Sequence, residues 1–365
     1  MTAQVTRDAV LAAPKVLLHD HLDGGLRVAT ILELSAEIGW TPRLPTTDPV
    51  ALQAWFTRGA ESRDLLQYLA TFEHTIAVMQ TQAGIERVAY ECVVDLAADG
   101  VVYAETRLAP EQHEQQGLGF DAVIEALAAG LRRGERDAAA AGRPIEVNAI
   151  VCAMRTEERS LEVVHDVDRI RATEPKVVAF DLAGAETGWP PSLHAEALAF
   201  ARARHLNITI HASEPPDLEL ISDALSHGAH RIGHGVRLDR DTSRDPATGE
   251  LVLGPLARYV LDHQVHLEMA PTCNTQIGAV PSVADHPIGP FLRAGFNVGV
   301  NTDNRLMSHV LPSSELWAVA EAFGLDWHEI GRLVRNAAES SFAPHEVRRR
   351  LIEQVIDPAY AALAS

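Results

Sequence analysis

The sequence predicts an α/β fold, a closed (β/α)8 TIM barrel with a helical insertion after the first strand. Short runs rich in valine and isoleucine are typical of strands buried on both faces of a parallel sheet. Amphipathic segments with apolar residues three and four positions apart lie between these runs. Eight such alternations favour a closed barrel over an open sheet, and no G-x-G-x-x-G or phosphate-binding loop follows any of the strands.

The predicted elements follow one another along the whole chain. The eight strands are 15–19, 101–107, 145–152, 177–182, 208–212, 231–234, 265–269 and 297–302. Helical patterns between and after them cover 161–172, 194–204, 218–227, 255–263, 313–323 and 326–340. The last helix opens with Asp326 and Glu329, which have the spacing of a capping box.

The connection between the first two strands is much longer than the others. It has about eighty residues, whereas a crossover helix needs far fewer. Helical patterns occur in it at 29–39, 65–79 and 84–99. We expect residues 28–98 to form a helical insertion over the barrel mouth, where a substrate lid would sit. No repeat or linker divides the chain, which predicts a single domain over 1–365.

Composition narrows the classes of partner. The net charge is −19, which disfavours phosphate backbones and anionic membranes. The N-terminus has no signal-peptide pattern, and no apolar run is long enough to span a bilayer. Three widely spaced cysteines fit neither a disulfide framework nor a zinc ribbon. These features predict a cytoplasmic protein that acts on a small molecule, with no nucleic-acid or membrane partner; they leave the oligomeric state open.

A candidate metal site begins at the end of the first strand. His19 and His21 are two positions apart, so their side chains point to the same face of a strand. His211 and Asp303 lie at the ends of the fifth and eighth strands, and the carboxyl ends of barrel strands converge on one rim. Three imidazoles and one carboxylate suit zinc and leave room for water.

Two further rim residues could move protons. Glu214 lies three residues after His211, close enough to act as a general acid or base on a bound substrate. His234 ends the sixth strand, and the pattern leaves two roles open for it, as a metal ligand in place of one of these four or as a base that orients a zinc-bound water.

Five short motifs, taken together, resemble one family. In chain order they are His-Asp-His-Leu-Asp-Gly at 19–24, Asp-Leu-Ala-Gly at 181–184, His-Ala-Ser-Glu at 211–214, Gly-His-Gly at 233–235 and Asn-Thr-Asp at 301–303. Each motif is weak alone, but their order resembles that of the adenosine deaminase family of zinc-dependent barrels, from Lys15 to about Phe342. The segment 301–308 resembles the bacterial, particularly the actinobacterial, branch.

The resemblance implies hydrolytic deamination of adenosine and 2′-deoxyadenosine at C6, with one Zn²⁺ per chain. The implied zinc ligands are His19, His21, His211 and Asp303. Glu214 would protonate purine N1, His234 would be the base for the zinc-bound water, and Asp303 would accept from that water. The implied substrate contacts are His21, Asp23 to a ribose hydroxyl, the Gly184 N–H to purine N3, and Asn304 to N7.

Three positions depart from the family pattern. Ser213 stands where glycine is usual, and Pro215 and Pro216 follow at once, which must reshape the loop that carries Glu214. Residues 269–274, Met-Ala-Pro-Thr-Cys-Asn, replace the more usual Cys-Pro-(Thr/Ser)-Ser-Asn. Asn304 replaces a frequent aspartate, and its amide can donate to N7 at any pH.

Several alternatives remain open at this stage. The altered loop at Ser213 could redirect the enzyme to another 6-aminopurine, such as a modified nucleoside or an aminodeoxyfutalosine-like metabolite. A non-deaminating binuclear hydrolase is disfavoured, since the fourth-strand rim at 181–184 has no bridging lysine. An inactive binding homologue would be expected to lack a metal-ligating residue, Glu214 or His234, and none of these is missing from the sequence. A nucleotide phosphate would need a basic partner, and Arg305, which follows Asn304, is the basic residue of the recognised rim motifs. We expect Arg305 to point away from the ion, so adenosine should be preferred over AMP.

Overall fold

Eight parallel strands form the centre of the molecule. The computed structural model describes residues 4–63 and 65–365. Its strands are β1 Lys15–His21, β2 Val101–Leu108, β3 Glu146–Met154, β4 Val177–Ala183, β5 Thr209–Ala212, β6 Arg231–His234, β7 Thr242–Arg244, β8 Leu251–Leu253, β9 His266–Met269 and β10 Val298–Val300. All belong to the barrel except β7 and β8, which pair with each other as an antiparallel hairpin that the sequence analysis did not predict.

The barrel consists of two four-stranded parallel sheets that meet along two seams. One has the order β1-β2-β3-β4 and the other β10-β9-β6-β5. A parallel bridge between Asp20 and Asp303 joins β1 to the end of β10, and one between Phe180 and Ile208 joins β4 to the start of β5. The predicted closed barrel, with all eight strands in their predicted places, is therefore confirmed.

Helices cover the outside of the barrel and one of its ends. They are α1 Arg7–Ala12, α2 Val28–Glu37, α3 Pro49–Ala60, α4 Leu65–Ala70, α5 Phe72–Val78, α6 Gln82–Ala98, α7 Phe120–Ala140, α8 Ser160–Ile170, α9 Ala195–Ala203, α10 Glu219–Ser226, α11 Pro255–Asp262, α12 Pro271–Gln276, α13 Ile288–Arg293, α14 Arg305–Ser308, α15 Pro312–Phe323, α16 Trp327–Ser340, α17 His345–Leu351 and α18 Asp357–Ala364. Short 3₁₀ turns and a π-helical turn at Ile352–Ile356 complete the set.

The long β1–β2 connection differs in one respect from its prediction. The helix expected over 65–79 is two helices, α4 and α5, which are separated at Thr71. The Thr71 hydroxyl donates to the Tyr68 carbonyl at 2.6 Å, and this local bond competes with continuation of the helix. Both helices face the barrel rim, where Leu69, Phe72 and Ile76 line a cavity together with strand-end residues.

The capping box predicted at the start of α16 is present. Asp326 accepts from the Glu329 backbone N–H at 2.9 Å, and the Glu329 side chain accepts from the Asp326 N–H at 3.3 Å. Helix α16 has Ile330 and Leu333 buried and packs against β1 and β10, the strands on either side of one seam of the barrel. Among the residues that the structure describes, no helix is both long and apolar enough to cross a membrane.

Candidate metal centre and active site

The alternation of side chains along β1 separates two sets of contacts. His19 and His21 point into the barrel mouth, and their ring centroids are 5.3 Å apart. Asp20 points to the other side, where it accepts from the Arg305 guanidinium at 2.6 Å. A buried ion pair thus holds Arg305 away from the histidines, in the orientation that the sequence analysis expects.

Four donor atoms from three strands converge at this end. The Nε2 atoms of His21 and His211 are 3.1 Å apart. Asp303 Oδ1 lies 3.5 Å from His19 Nε2 and 3.4 Å from His21 Nε2. Two nitrogens about 2.0–2.1 Å from one tetrahedral ion would be separated by about 3.3 Å, so this spacing fits a shared metal. These side chains form a candidate His/Asp metal site.

Buried carboxylates orient two of these histidines. His19 Nδ1 lies 2.9 Å from Glu268 Oε2, and His211 Nδ1 lies 3.0 Å from Asp181 Oδ2. Each carboxylate accepts a hydrogen bond from the Nδ1–H, which leaves Nε2 with its lone pair directed at the site. Arg107 is itself fully buried and holds both carboxylates at 2.8 Å.

The protonation of His19 and His21 suits metal binding. Burial lowers the pKa of His19 and of His21 well below the ordinary value, so both rings are neutral. Burial acts in the same direction on His211, but the Asp181 carboxylate outweighs it and raises the pKa of that ring. His19 Nε2 is buried and has no hydrogen-bond partner, as expected for an atom whose partner is an ion. The donor set thus fits a zinc-type metal.

Three site residues have left-handed backbone conformations. The φ angles are 72° at Ser213, 59° at His234 and 57° at Asp303, in a region that favours glycine. Such strain concentrates where the surrounding structure fixes a functional side chain. At Asp303, the neighbouring Cys273 Sγ donates to Oδ2 at 2.8 Å, which leaves Oδ1 facing the histidines.

Glu214 and His234 face each other above the donor atoms. His234 Nε2 lies 3.3 Å from Glu214 Oε1. His234 is 1% exposed, and its ring also comes close enough to His19 and Asp303 to share an ion with them. Burial raises the pKa of Glu214 and lowers that of His234 to about 4. A carboxyl that keeps its proton beside a neutral imidazole can act as a general acid.

A buried glutamate that the sequence analysis missed supports the Glu214 loop. Glu186 accepts from the Ser213 backbone N–H at 2.7 Å and from the Glu214 N–H at 3.3 Å. These bonds restrain the backbone on both sides of the turn at Ser213. The only sequence signal was position, since Glu186 follows the 181–184 motif by two residues.

Asp23 and Gly184 lie at a cavity of about 190 Å³ beside His21. Burial raises the pKa of Asp23 to about 7. Its Oδ1 is buried without a hydrogen-bond partner, so it is available to a ligand hydroxyl. Gly184 adopts φ 97°, and a Cβ there would approach Met154 Cε at 2.9 Å. Glycine is therefore required for this backbone to face the cavity.

Asn304 contacts the helical insertion. Its Nδ2 donates to the Tyr68 hydroxyl of α4 at 2.5 Å, while Oδ1 has no hydrogen-bond partner. Gly24 packs so closely that a Cβ on it would overlap Asn304 Oδ1 at 1.9 Å. The side chain is thus fixed between the β1 loop and the insertion, with one amide hydrogen still free to donate.

The buried charges beneath the site were also missed. Glu268 lies on the short strand β9, and its Oε2 atom orients His19. Its second oxygen accepts from Arg231 Nε at 2.7 Å. Nothing in the spacing of these residues along the chain signalled contact, because Arg107, Arg231 and Glu268 lie on three different strands.

Comparison with known proteins identifies the family. The model of the adenosine deaminase family matches residues 14–358. An adenosine deaminase of Mycobacterium sp. (strain JLS) is 47% identical over 365 residues, which cover all of both chains. That of Mycobacteroides abscessus is 47% identical over 364 residues, covering 100% of this chain and 99% of the relative.

Solved structures agree on the fold. An adenine deaminase from Arthrobacter aurescens superposes with a TM-score of 0.80 at 25% identity, covering 95% of this chain and 99% of that one. A cog1816 amidohydrolase from Burkholderia ambifaria, solved with bound zinc, has a TM-score of 0.82 at 22% identity over 99% and 95% of the two chains. The resemblance indicated by the five motifs is confirmed, and this chain belongs to the adenosine deaminase family.

Proposed function

We propose that this enzyme hydrolyses adenosine and 2′-deoxyadenosine to inosine and 2′-deoxyinosine with release of ammonia, using one zinc ion per chain. The observation that carries the proposal is the convergence of three imidazole nitrogens and one carboxylate directly below Glu214. Family membership at 47% identity over the full length supports the same reaction.

The residues that would hold zinc are His19, His21, His211 and Asp303. They form an N3O set of three imidazoles and a carboxylate, which is the chemistry that zinc prefers. When bound, the ion acidifies a water molecule and so supplies a nucleophile near neutral pH.

Proton delivery to the purine ring is assigned to Glu214. Attack at C6 of an aromatic purine requires electron density to move to N1, and a proton placed there lowers the barrier. Burial raises the pKa of Glu214 and favours the protonated form that this step uses. His234 and Asp303 complete the group around the water, His234 through Nε2 and Asp303 as an acceptor.

The substrate contacts are assigned to residues around the cavity. Asp23, with its unpartnered oxygen, would accept from a ribose hydroxyl beside His21. The Gly184 backbone N–H would donate to purine N3. The free amide hydrogen of Asn304 would donate to N7, since that atom only accepts.

Residues 28–98 are proposed to act as the lid of this site. Leu69, Phe72 and Ile76, on α4 and α5, already line the cavity. Their apolar side chains would cover the base and exclude bulk water from the reacting carbon. The three cysteines are buried and form no disulfide, which supports the cytoplasm as the setting of the reaction. The proposed reaction would itself belong to purine metabolism.

The experiment that tests the function is a substrate panel. We expect adenosine and 2′-deoxyadenosine to react much faster than AMP, because the described residues that line the cavity include no lysine or arginine to receive a phosphate. Exchange of the 6-amino for a 6-oxo group changes the ultraviolet absorbance and can be followed directly. Adenine and N6-substituted purines should be included as further arms.

Glu214→Gln is the matched control for the panel. The amide keeps the shape of the side chain but cannot deliver a proton, so we expect the rate to fall by roughly 10²–10⁴-fold with zinc retained. A faster reaction with AMP would contradict the cavity assignment. Activity confined to another 6-aminopurine would contradict adenosine as substrate but not the chemistry.

A further inference from the structure

A chain of hydrogen bonds reaches His234 from the side opposite to the metal site. Asn274, in α12, places its side chain against His234 Nδ1 at 3.1 Å. On its other side Asn274 contacts His286 Nε2, also at 3.1 Å. The chain starts at the backbone N–H of Ile288, which lies 3.1 Å from His286 Nδ1. Asn274 is 0% exposed and the two rings are each 1% exposed.

The backbone amide determines the direction of the whole chain. An N–H of the main chain can only donate, so His286 Nδ1 must accept and carries no proton. Burial lowers the pKa of His286 to about 3, so the ring is neutral and has one N–H, at Nε2. That N–H donates to Asn274, which must therefore present its oxygen to His286.

The orientation of Asn274 then decides the tautomer of His234. With Oδ1 facing His286, the amide nitrogen faces His234 and donates to Nδ1. The reverse orientation would place an N–H of Asn274 against the N–H of His286, with both buried and unsatisfied, at a cost of about 1–3 kcal/mol for each group. His234 Nδ1 therefore accepts, and its proton resides on Nε2, directed at the Glu214 carboxyl 3.3 Å away.

We propose that Asn274 and His286 are positioning residues that fix His234 as the Nε2–H tautomer, so that His234 donates a hydrogen bond into the active site and does not take a proton from the water. This inference rests on the proposed deaminase function for its catalytic meaning, but the tautomer itself follows from the hydrogen bonds alone. It revises the role of base that the family resemblance implies for His234.

The proposed tautomer of His234 changes which residue receives the proton of the water. A bare Nε2 that could accept a proton from the water would require the hydrogen on Nδ1, where it would oppose the Asn274 amide. The proton that leaves the water would then pass to the Asp303 carboxylate, while the Nε2–H of His234 orients the water and contacts Glu214. His234 thus acts as a hydrogen-bond donor to the attacking water, where negative charge develops as the water loses its proton.

Nuclear magnetic resonance of the zinc-loaded enzyme tests the tautomer directly. Protein labelled with ¹⁵N at its histidines gives two-bond N–H correlation patterns that distinguish Nε2–H from Nδ1–H rings. The His234 signals would be assigned by their loss in His234→Gln. We expect the proton on Nε2 in the wild type, and a proton on Nδ1 would overturn the proposal. This measurement does not depend on a variant of Asn274 or His286 being stable.

Asn274→Asp reverses the chain with the same shape. A carboxylate can only accept, so we expect the His234 proton to move to Nδ1. We also expect kcat to fall by roughly 10²–10⁴-fold, as when a triad histidine is held in the wrong tautomer, with KM within a few-fold of wild type. An unchanged tautomer in this variant, with zinc retained, would overturn the proposal.

Asn297→Asp is the matched control. Asn297 Oδ1 lies 2.7 Å from His266 Nδ1 at the start of β9, the opposite end of the barrel, so the variant makes the same chemical change away from the site. We expect the His234 signals and kcat to stay at wild-type values. If no purine is deaminated, the proposed function fails while the tautomer measurement still stands or falls independently.

Discussion

At the scale of single residues, the site depends on backbone conformations that most side chains avoid. Ser213 has φ 72°, and its hydroxyl oxygen is buried without a hydrogen-bond partner. The turn is held by the bond from its N–H to Glu186 at 2.7 Å, which does not depend on the side chain. Serine thus adopts here the left-handed conformation that glycine adopts more easily, and the hydrogen bond of its N–H is one that glycine could also make.

Ser213→Gly should stabilise the protein. Glycine removes the left-handed strain and the unsatisfied hydroxyl, and these gains exceed its larger entropy loss on folding, so we expect about 1 kcal/mol more free energy of unfolding. Urea denaturation would measure it. Ser213→Ala keeps the strain but removes the hydroxyl, so it should give a smaller gain. A loss of stability in Ser213→Gly would show that the serine side chain supports the turn.

At the scale of secondary structure, α15 buries an ionisable group beside the active-site loop. Glu315 is 1% exposed and accepts from the Thr272 N–H at 3.3 Å, while its other oxygen has no partner. Burial raises the pKa of Glu315 to about 7. The folded state therefore binds this proton more tightly than the unfolded state, in which the ordinary value of 4.5 applies.

Glu315→Gln should remove a pH dependence of stability. Below pH 4.5 both states are protonated, and as the pH rises towards 7 only the unfolded state loses the proton, so the wild type loses up to about 3 kcal/mol. Above pH 7 the loss is constant. Unfolding free energies of both proteins, measured from pH 5 to 8, should diverge in favour of Glu315→Gln. Parallel curves would contradict the raised pKa.

At the scale of the whole molecule, the proposed metal site joins the two sheets of the barrel. His19 and His21 belong to the β1–β4 sheet, whereas His211 and Asp303 come from the strands of the other sheet. The site lies close to the seam where Asp20 pairs with Asp303. An ion held by all four would therefore cross-link the two halves of the fold.

Removal of the metal should lower the stability of the entire barrel. A ligand at a thousand times its Kd stabilises the folded state by about 4 kcal/mol, so a chelator should lower Tm and zinc should restore it. His19→Ala should bind no zinc, should be inactive and should not respond to the chelator. Elemental analysis of wild type should give one zinc per chain. Two tightly bound metals, or an unchanged Tm on chelation, would contradict the site.

The sequence by itself determined the barrel, the strand ends and the residues that gather there. Alternation along a strand places His19 and His21 on one face, and parallel strands bring their carboxyl ends to one rim, so local rules were sufficient. The division of the helix at Thr71 was not determined in this way, because a local hydrogen bond of the Thr71 hydroxyl overrode the hydrophobic pattern. The hairpin of β7 and β8 was not determined either, because it depends on the backbone pairing of two three-residue strands.

Only the tertiary structure decided how those side chains are held. Glu268, Glu186 and Asn274 lie far along the chain from the residues that they orient, and no spacing rule connects groups on different strands or loops. A buried polar group must find a partner wherever the fold places one, so each such contact is a property of packing. The direction of the His234 proton, determined by one backbone N–H at Ile288, is the clearest example, because tautomers depend on three-dimensional hydrogen bonds alone.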